Sequence, residues 1–161
     1  MIPSPWSPSA LEGFKNCPRS FFEQRVKRSV SGSRTEHNEW GDRVQKAFED
    51  FLAGKNHLPP DLKIHEDYLM KLRSRPGVDS VELRAAFDKK ARPTNWEWRQ
   101  DDIWARFKID YIKVDMTAEK PIAWIRDWKT GKQKDDFRQL IIYSLYAFAL
   151  HGVEICDTRF Y

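Results

Sequence analysis

The chain has 161 residues, 40% of them hydrophobic and 32% charged, enough apolar content for one compact domain with a sizeable core. Its formal charge of +4 and pI near 9.1 are compatible with a polyanionic partner without requiring one. No apolar run approaches the length of a membrane span, and the N-terminus lacks the charged-then-apolar pattern of a signal peptide, so a cytoplasmic protein is expected.

The opening segment carries Pro3, Pro5 and Pro8 and reads as an irregular lead-in. Ser9-Ala10-Leu11-Glu12 follows as a capping box starting a short helix, with Leu11 and Phe14 facing inward. Pro18 breaks that helix, and a second is predicted over 19–27 with Phe22 and Val26 on one side. From Phe14 to Arg34 the basic residues Lys15, Arg19, Arg25, Lys27, Arg28 and Arg34 outnumber the single acidic Glu23. Such a run reads equally as a solvated helix face or as a nucleic-acid contact. Ser29 to Thr35 is a serine-rich loop.

Asn38 is a plausible N-cap for a helix over 39–53, where Val44, Phe48, Phe51 and Leu52 form a stripe at helical spacing. Gln45 lies beside that stripe and is expected to point toward the body of the protein. A further helix is predicted over 62–72. The period then changes to that of strands, over 80–87 with Glu82, over 103–114 with Asp110, and over 121–128 with Asp127. Residues 88–102, including Trp96 and Trp98, read as a polar and aromatic connection with some strand character. A helix beginning at Asp135 or Asp136 runs to about Leu150, with Phe137, Leu140, Ile141, Leu145 and Phe148 as its expected buried face, and a last strand covers 153–161. The order implies a single α/β domain over 1–161, with a helical portion at 1–75 and an αβ core at 78–161.

Three residues in this order carry chemistry. Asp127 and Lys129 are two apart, so on a strand both leave the same face. A turn centred between Ala118 and Glu119 folds the flanking strands so that Asp110 lies opposite Asp127. Two carboxylates converging beside an ammonium give a hard divalent cation part of an oxygen shell and leave room for water and a phosphate oxygen. Taken alone, Asp-x-Lys in a strand is a common solvated charge pair. Cys17 and Cys156 are too few for a metal cage and read as two free thiols.

The wider set of residues resembles a known family. Glu82, Lys108-Ile109-Asp110, Asp127-Trp128-Lys129-Thr130-Gly131-Lys132, and Gln139 followed by Tyr143 resemble the PD-(D/E)xK nuclease superfamily, in particular its RecB-like exonuclease branch, which includes small phage nucleases. Ser9-Ala10-Leu11, Cys17-Pro18 and Trp40-Gly41-Asp42-Arg43-Val44 resemble that branch as well. The resemblance implies a restriction-endonuclease-like core, with a mixed central sheet of about four strands flanked by helices. It also implies a metal-dependent DNA nuclease in a bacterial cell or phage-infected host. Asp110, Asp127 and the backbone carbonyl of Trp128 would be ligands of Mg²⁺ or Mn²⁺, Lys129 the catalytic lysine, Glu82 the acidic residue of the first strand, and Gln139 and Tyr143 the glutamine-tyrosine motif beside the site. Arg19, Arg25, Lys132 and Arg138 are the expected DNA contacts, with single strands or duplex ends as substrate.

Two positions depart from the branch. Gln45 stands where relatives have a histidine metal ligand, which raises the alternative of a weakened nuclease that binds nucleic acid without efficient cleavage. His37 is the nearest histidine able to substitute, although a loop histidine is more simply solvated. Phe107 stands where relatives have glycine, and its bulk is expected to narrow access to the metal. Some relatives hold an iron-sulfur cluster on four cysteines; with two here, none is expected. Trp96 and Trp98 are candidates for stacking on unpaired bases if the chain only binds.

Overall fold

The computed structural model describes residues 5–30, 36–97, 102–131 and 137–161. Trp98, Lys132, Asp135 and Asp136, together with the side chain of His37, lie outside the described residues. The elements are α1 (Pro8–Asn16), α2 (Pro18–Phe21), a π-helical turn (Phe22–Val26), α3 (Glu36–Leu52), a 3-10 helix (Pro60–His65) and α4 (Glu66–Arg73). They are followed by β1 (Val78–Asp88), β2 (Pro93–Thr94), β3 (Ile103–Asp115), β4 (Ile122–Asp127), α5 (Arg138–His151) and β5 (Ile155–Phe160).

The strands form one five-stranded sheet in the order β2-β1-β3-β4-β5, antiparallel between β3 and β4 and parallel between β4 and β5. The parallel pair requires a crossover, which α5 supplies. This is the mixed α/β sheet with flanking helices expected of a restriction-endonuclease-like core. It has one strand more than the expected four, because the connection after β1 folds back as β2, pairing Ala86 with Thr94. Among the described residues no helix is long and apolar enough to cross a membrane.

The chain divides into two compact units. One comprises Met1–Arg34 and Arg84–Lys108, the other Thr35–Leu83 and Ile109–Tyr161. In the first, the Trp6 amide donates to the Trp104 carbonyl at 3.0 Å and the Arg106 amide to the Trp6 carbonyl at 2.7 Å. Trp6 stacks on Phe21 with centroids 5.8 Å apart, and Phe14 meets both rings edge-on. The second unit packs α3, α4 and the intervening 3-10 helix around Val44, Phe48, Phe51, Leu52, Leu62, Leu69 and Leu72, with Tyr111 and Trp128 from the sheet side.

Several local expectations are corrected. Ser7, rather than Ser9, caps α1: its Oγ accepts from the Ala10 amide at 3.1 Å, and Pro8 takes the first helical position, where its missing N–H costs nothing. Leu11 and Phe14 are exposed and Ala10 is buried. Phe22 and Val26 are exposed as well, and Phe21 is the buried residue of that segment. Cys17 caps α2, accepting from the Ser20 amide at 3.4 Å. α3 begins at Glu36, ahead of the cap expected at Asn38. On α5 the buried residues are Leu140, Tyr143, Tyr146 and Ala147, whereas Phe137, Ile141, Leu145 and Phe148 are exposed. That helix is apolar nearly all round, so hydrophobic spacing alone selects no face.

Candidate active site

The β3–β4 ladder pairs Tyr111 with Arg126 and Ile112 with Ile125. One further step along it sets Asp110 against Asp127. Asp110 reaches beyond that pairing, and its Oδ2 accepts from the Trp128 amide at 2.9 Å. Both carboxylates are buried, Asp110 at 7% and Asp127 at 1% exposure. The chain beyond β4 stays in sheet register because the Tyr161 amide donates to the Asp127 carbonyl at 3.0 Å and the Lys129 amide donates to the Tyr161 carbonyl at 2.7 Å. These bonds fix Asp127, Trp128 and Lys129 as an extended segment, so Asp127 and Lys129 share a face.

The two oxygens of Asp127 have different partners. Oδ1 accepts from Gln139 Nε2 at 2.6 Å and from the Tyr143 hydroxyl at 3.3 Å, and Gln139 Nε2 also donates to that hydroxyl at 2.5 Å. Gln139 and Tyr143 are one turn apart on α5, which lets both reach the same oxygen. Oδ2 pairs with the Lys129 ammonium and has no other donor aligned on it among the described residues. The Lys129 side chain remains 44% exposed and lies 5.5 Å from the centre of the Phe160 ring.

On the other side of Asp110, Gln45 Nε2 donates to Asp110 Oδ1 at 3.2 Å and to Glu82 Oε1. Both neighbours are acceptors, so the amide nitrogen is the group that faces them. Glu82 sits within β1 in the left-handed region, φ 55°. A non-glycine residue there breaks the alternation of the strand and re-aims its side chain at a cost of about 1–3 kcal/mol. α3 comes close to the segment after Lys129: a Cβ added at Gly41 would lie 3.1 Å from Thr130 Oγ1.

Burial pushes the Asp110 carboxyl up to about 7, helped by the neighbouring charge of Asp127 and opposed by the Trp128 amide. Burial also raises Asp127, although Lys129, Tyr143 and Gln139 all favour its ionised form. Two buried carboxylates side by side repel one another, which favours a proton or a cation shared between them. Among the described residues no three His, Cys, Asp or Glu side chains stand together as a metal cage. Among the described residues, the groups at this site that could hold a cation are this pair, supplemented by amide or backbone oxygen.

The structure thus joins Gln45, Glu82, Asp110, Asp127, Lys129, Gln139 and Tyr143 into one network. Arg138 is exposed at the first residue of α5, and Arg19 and Arg25 are exposed in the first unit. Phe107 is buried against Phe87, its ring taken up by the core of the first unit. The sequence reading missed the left-handed backbone at Glu82, which no strand pattern announces. It also missed a cavity beside Lys129, whose walls come from separate segments of the chain.

Two opposed carboxylates with a lysine two residues after the second are the arrangement expected of a nuclease site. The profile of the PD-(D/E)XK nuclease superfamily matches residues 5–154. The chain belongs to that superfamily. A search of curated proteins and one of solved structures return no match.

Proposed function

We propose that the protein is a metal-dependent deoxyribonuclease of the RecB-like branch, an exonuclease or flap- and end-processing enzyme that serves DNA replication, recombination or repair. The observation that carries this reading is the Asp110–Asp127 pair with Lys129 on the face of Asp127. The residues fit a hard divalent cation, because two buried carboxylates from neighbouring strands converge here and offer it oxygen ligands. Asp110, Asp127 and the Trp128 carbonyl would hold Mg²⁺ or Mn²⁺, with the Gln45 amide oxygen available once the amide turns over. When bound, such an ion polarises a phosphate oxygen and lowers the pKa of a water.

The chain's own groups supply the rest. Gln139 and Tyr143 hold Asp127 in one orientation through Oδ1. Lys129, partly exposed and anchored at Asp127, moves its ammonium toward the phosphate to orient the attacking water and offset charge developing on the phosphoryl oxygens. Glu82, aimed by its left-handed backbone and bound by Gln45, accepts a proton or orients a water on the far side of Asp110. Incubating labelled single- and double-stranded DNA with Mg²⁺ or Mn²⁺ tests the reading. Wild type should cut, and Asp127→Ala and Lys129→Ala should not; equal cutting by all three removes the assignment.

A second reading is favoured by one specific contact. Gln45 presents its donor side to both Glu82 and Asp110, occupying acceptors that a cation would use, as expected of a chain that keeps the nuclease fold and binds nucleic acid with weakened cleavage. Salt-dependent DNA binding without turnover in Mg²⁺ or Mn²⁺ is its signature.

A further inference from the structure

Within the second unit lies a cavity of about 190 Å³ that shares Lys129 with the carboxylate network and otherwise lies outside it. Its walls are aromatic and aliphatic: Trp40 and Phe48 from α3, Trp128 from the end of β4, and Tyr161. The polar residues of its lining are few. His65 Nδ1 and the Tyr161 hydroxyl share a hydrogen bond of 3.1 Å, and Thr130 and Lys129 form part of the lining. Aromatic walls with a few polar groups among them suit a planar heteroaromatic ring. An apolar cavity of about 150 Å³ holds a benzene molecule, so this one admits a six-membered ring.

Trp40 is the least expected part of that wall. It is 43% exposed, although an indole has a large apolar area to hide. It is also braced. The Arg43 guanidinium lies over its ring at 5.2 Å, and Arg43 is fixed by two bonds to the Asp61 carboxylate, at 2.8 and 2.9 Å. An exposed tryptophan held in place by a clamped arginine is a preorganised stacking platform, with its ordering cost met before a ligand arrives.

Resting on the nuclease reading above, we propose that this cavity receives one unpaired base of the strand whose phosphate lies at Asp127 and Lys129. Lys129 belongs to both places, as the ion partner of Asp127 and as lining of the cavity, so a base in the cavity and a phosphate at the carboxylates are linked by one lysine. A base inside a duplex is covered by its stacked neighbours and paired along its edge, and cannot enter unless it is flipped out. The substrate class this cavity selects is therefore a single strand, a frayed end or a flap.

The test compares a fluorescein-labelled oligothymidylate with an abasic oligomer of the same length and charge, by anisotropy at low salt with EDTA and no divalent cation. Wild type should bind the oligothymidylate roughly 5- to 150-fold more tightly than the abasic strand. Trp40→Ala should lose most of that preference, and Trp40→Phe should keep most of it. Equal affinity of wild type for both strands, or no binding of either, overturns the inference without recourse to a variant. So does an unchanged preference in Trp40→Ala. If in those cases wild type still cleaves DNA with Mg²⁺ and Asp127→Ala does not, the nuclease reading stands and only the base pocket falls. Absence of both binding and cleavage removes the nuclease reading and the pocket with it.

Discussion

Gln45 donates its side-chain amide to Asp110 Oδ1 across 3.2 Å while the same nitrogen holds Glu82. One uncharged side chain from α3 thus spans two carboxylates that repel each other. A cation at Asp110 and Asp127 that draws on Gln45 would have to turn its amide over and break this bridge, and the amide oxygen is a weaker donor than imidazole toward Mn²⁺. Gln45→His should therefore tighten Mn²⁺ binding by roughly tenfold and raise cleavage at limiting metal. Calorimetric titration with Mn²⁺ and a metal titration of cleavage check this. An unchanged affinity would mean that position 45 lies outside the cation's shell.

The Asp110 carboxyl makes the metal-free fold less stable as pH rises, in the same sense as Asp127, which burial also raises. The Asp110 pKa is about 7 in the folded chain against an ordinary value of 3.8, burial being the first cause and Asp127 the second. Between these values the folded state binds more protons than the unfolded state, so stability falls as pH rises through the window. In EDTA, denaturant unfolding should show wild type losing a few kcal/mol from pH 4 to pH 7 and little more above it. Asp110→Asn should flatten that slope and be the more stable chain at pH 8. A divalent cation should restore stability to wild type at pH 8 and contribute less at pH 5.

Gly77 allows β1 to start hard against the end of β3. Its φ is +109°, and an added Cβ would lie 2.2 Å from the Val114 carbonyl oxygen. Backbone on both sides cannot yield, so Gly77→Ala should lose roughly 3 kcal/mol or more of stability. Gly131→Ala is the control, because nothing lies within 4 Å of its Cβ position, and it should stay within about 0.5 kcal/mol of wild type. Thermal unfolding of the two variants separates a local backbone requirement from a general intolerance of change.

Arg126 is a buried charge with a structural task. It is 1% exposed, donates through Nε to the Tyr68 hydroxyl at 2.6 Å, and donates to the Ile125 and Asp157 carbonyls at 2.8 and 2.7 Å. It thereby ties α4 to β4 and β5. Arg126→Ala removes all these donors and leaves buried acceptors unmatched, at a cost of about 3–5 kcal/mol. Arg126→Lys should recover only part of it, because an ammonium cannot reproduce the planar fork. Urea midpoints of the two variants decide the order.

How far the site could be read from the sequence follows from what each feature depends on. The facing of Asp110 and Asp127 needs only strand alternation and the midpoint of a turn, and the observed pairing of Tyr111 with Arg126 keeps the register that midpoint predicts. The buried stripe Val44, Phe48, Phe51 and Leu52 is equally local, because polar residues flank it on α3. The exposed face of α5 was not legible, since Ile141, Leu145 and Phe148 are as apolar as the residues actually buried, and the choice is made by Gln139 and Tyr143 reaching Asp127. Nor was the left-handed backbone at Glu82, which is set by surrounding structure rather than by glutamate's own preference. Ser7 and Ser9 compete as caps on equal chemistry, and Pro8 decides between them.

Gln139 and Tyr143 act on Asp127 as a unit, which has a measurable consequence. Both contact Oδ1 of the same carboxylate and bond each other at 2.5 Å. Removing either breaks the arrangement, because each also fixes the other, and leaves the Lys129 ammonium on the other oxygen free to turn the carboxylate. Hydrogen bonds to a charged group are worth about 1.5–3 kcal/mol, so Gln139→Ala and Tyr143→Phe should each lower kcat roughly 10- to 150-fold. Groups that share one partner and each other are not additive. The double variant should therefore fall little below the worse single, with KM for DNA nearly unchanged in all three because neither side chain is assigned to substrate. Single-turnover cleavage by wild type and the three variants provides the cycle. Full additivity would show two independent contacts, and a rise in KM without loss of kcat would move both residues from positioning Asp127 to binding the strand.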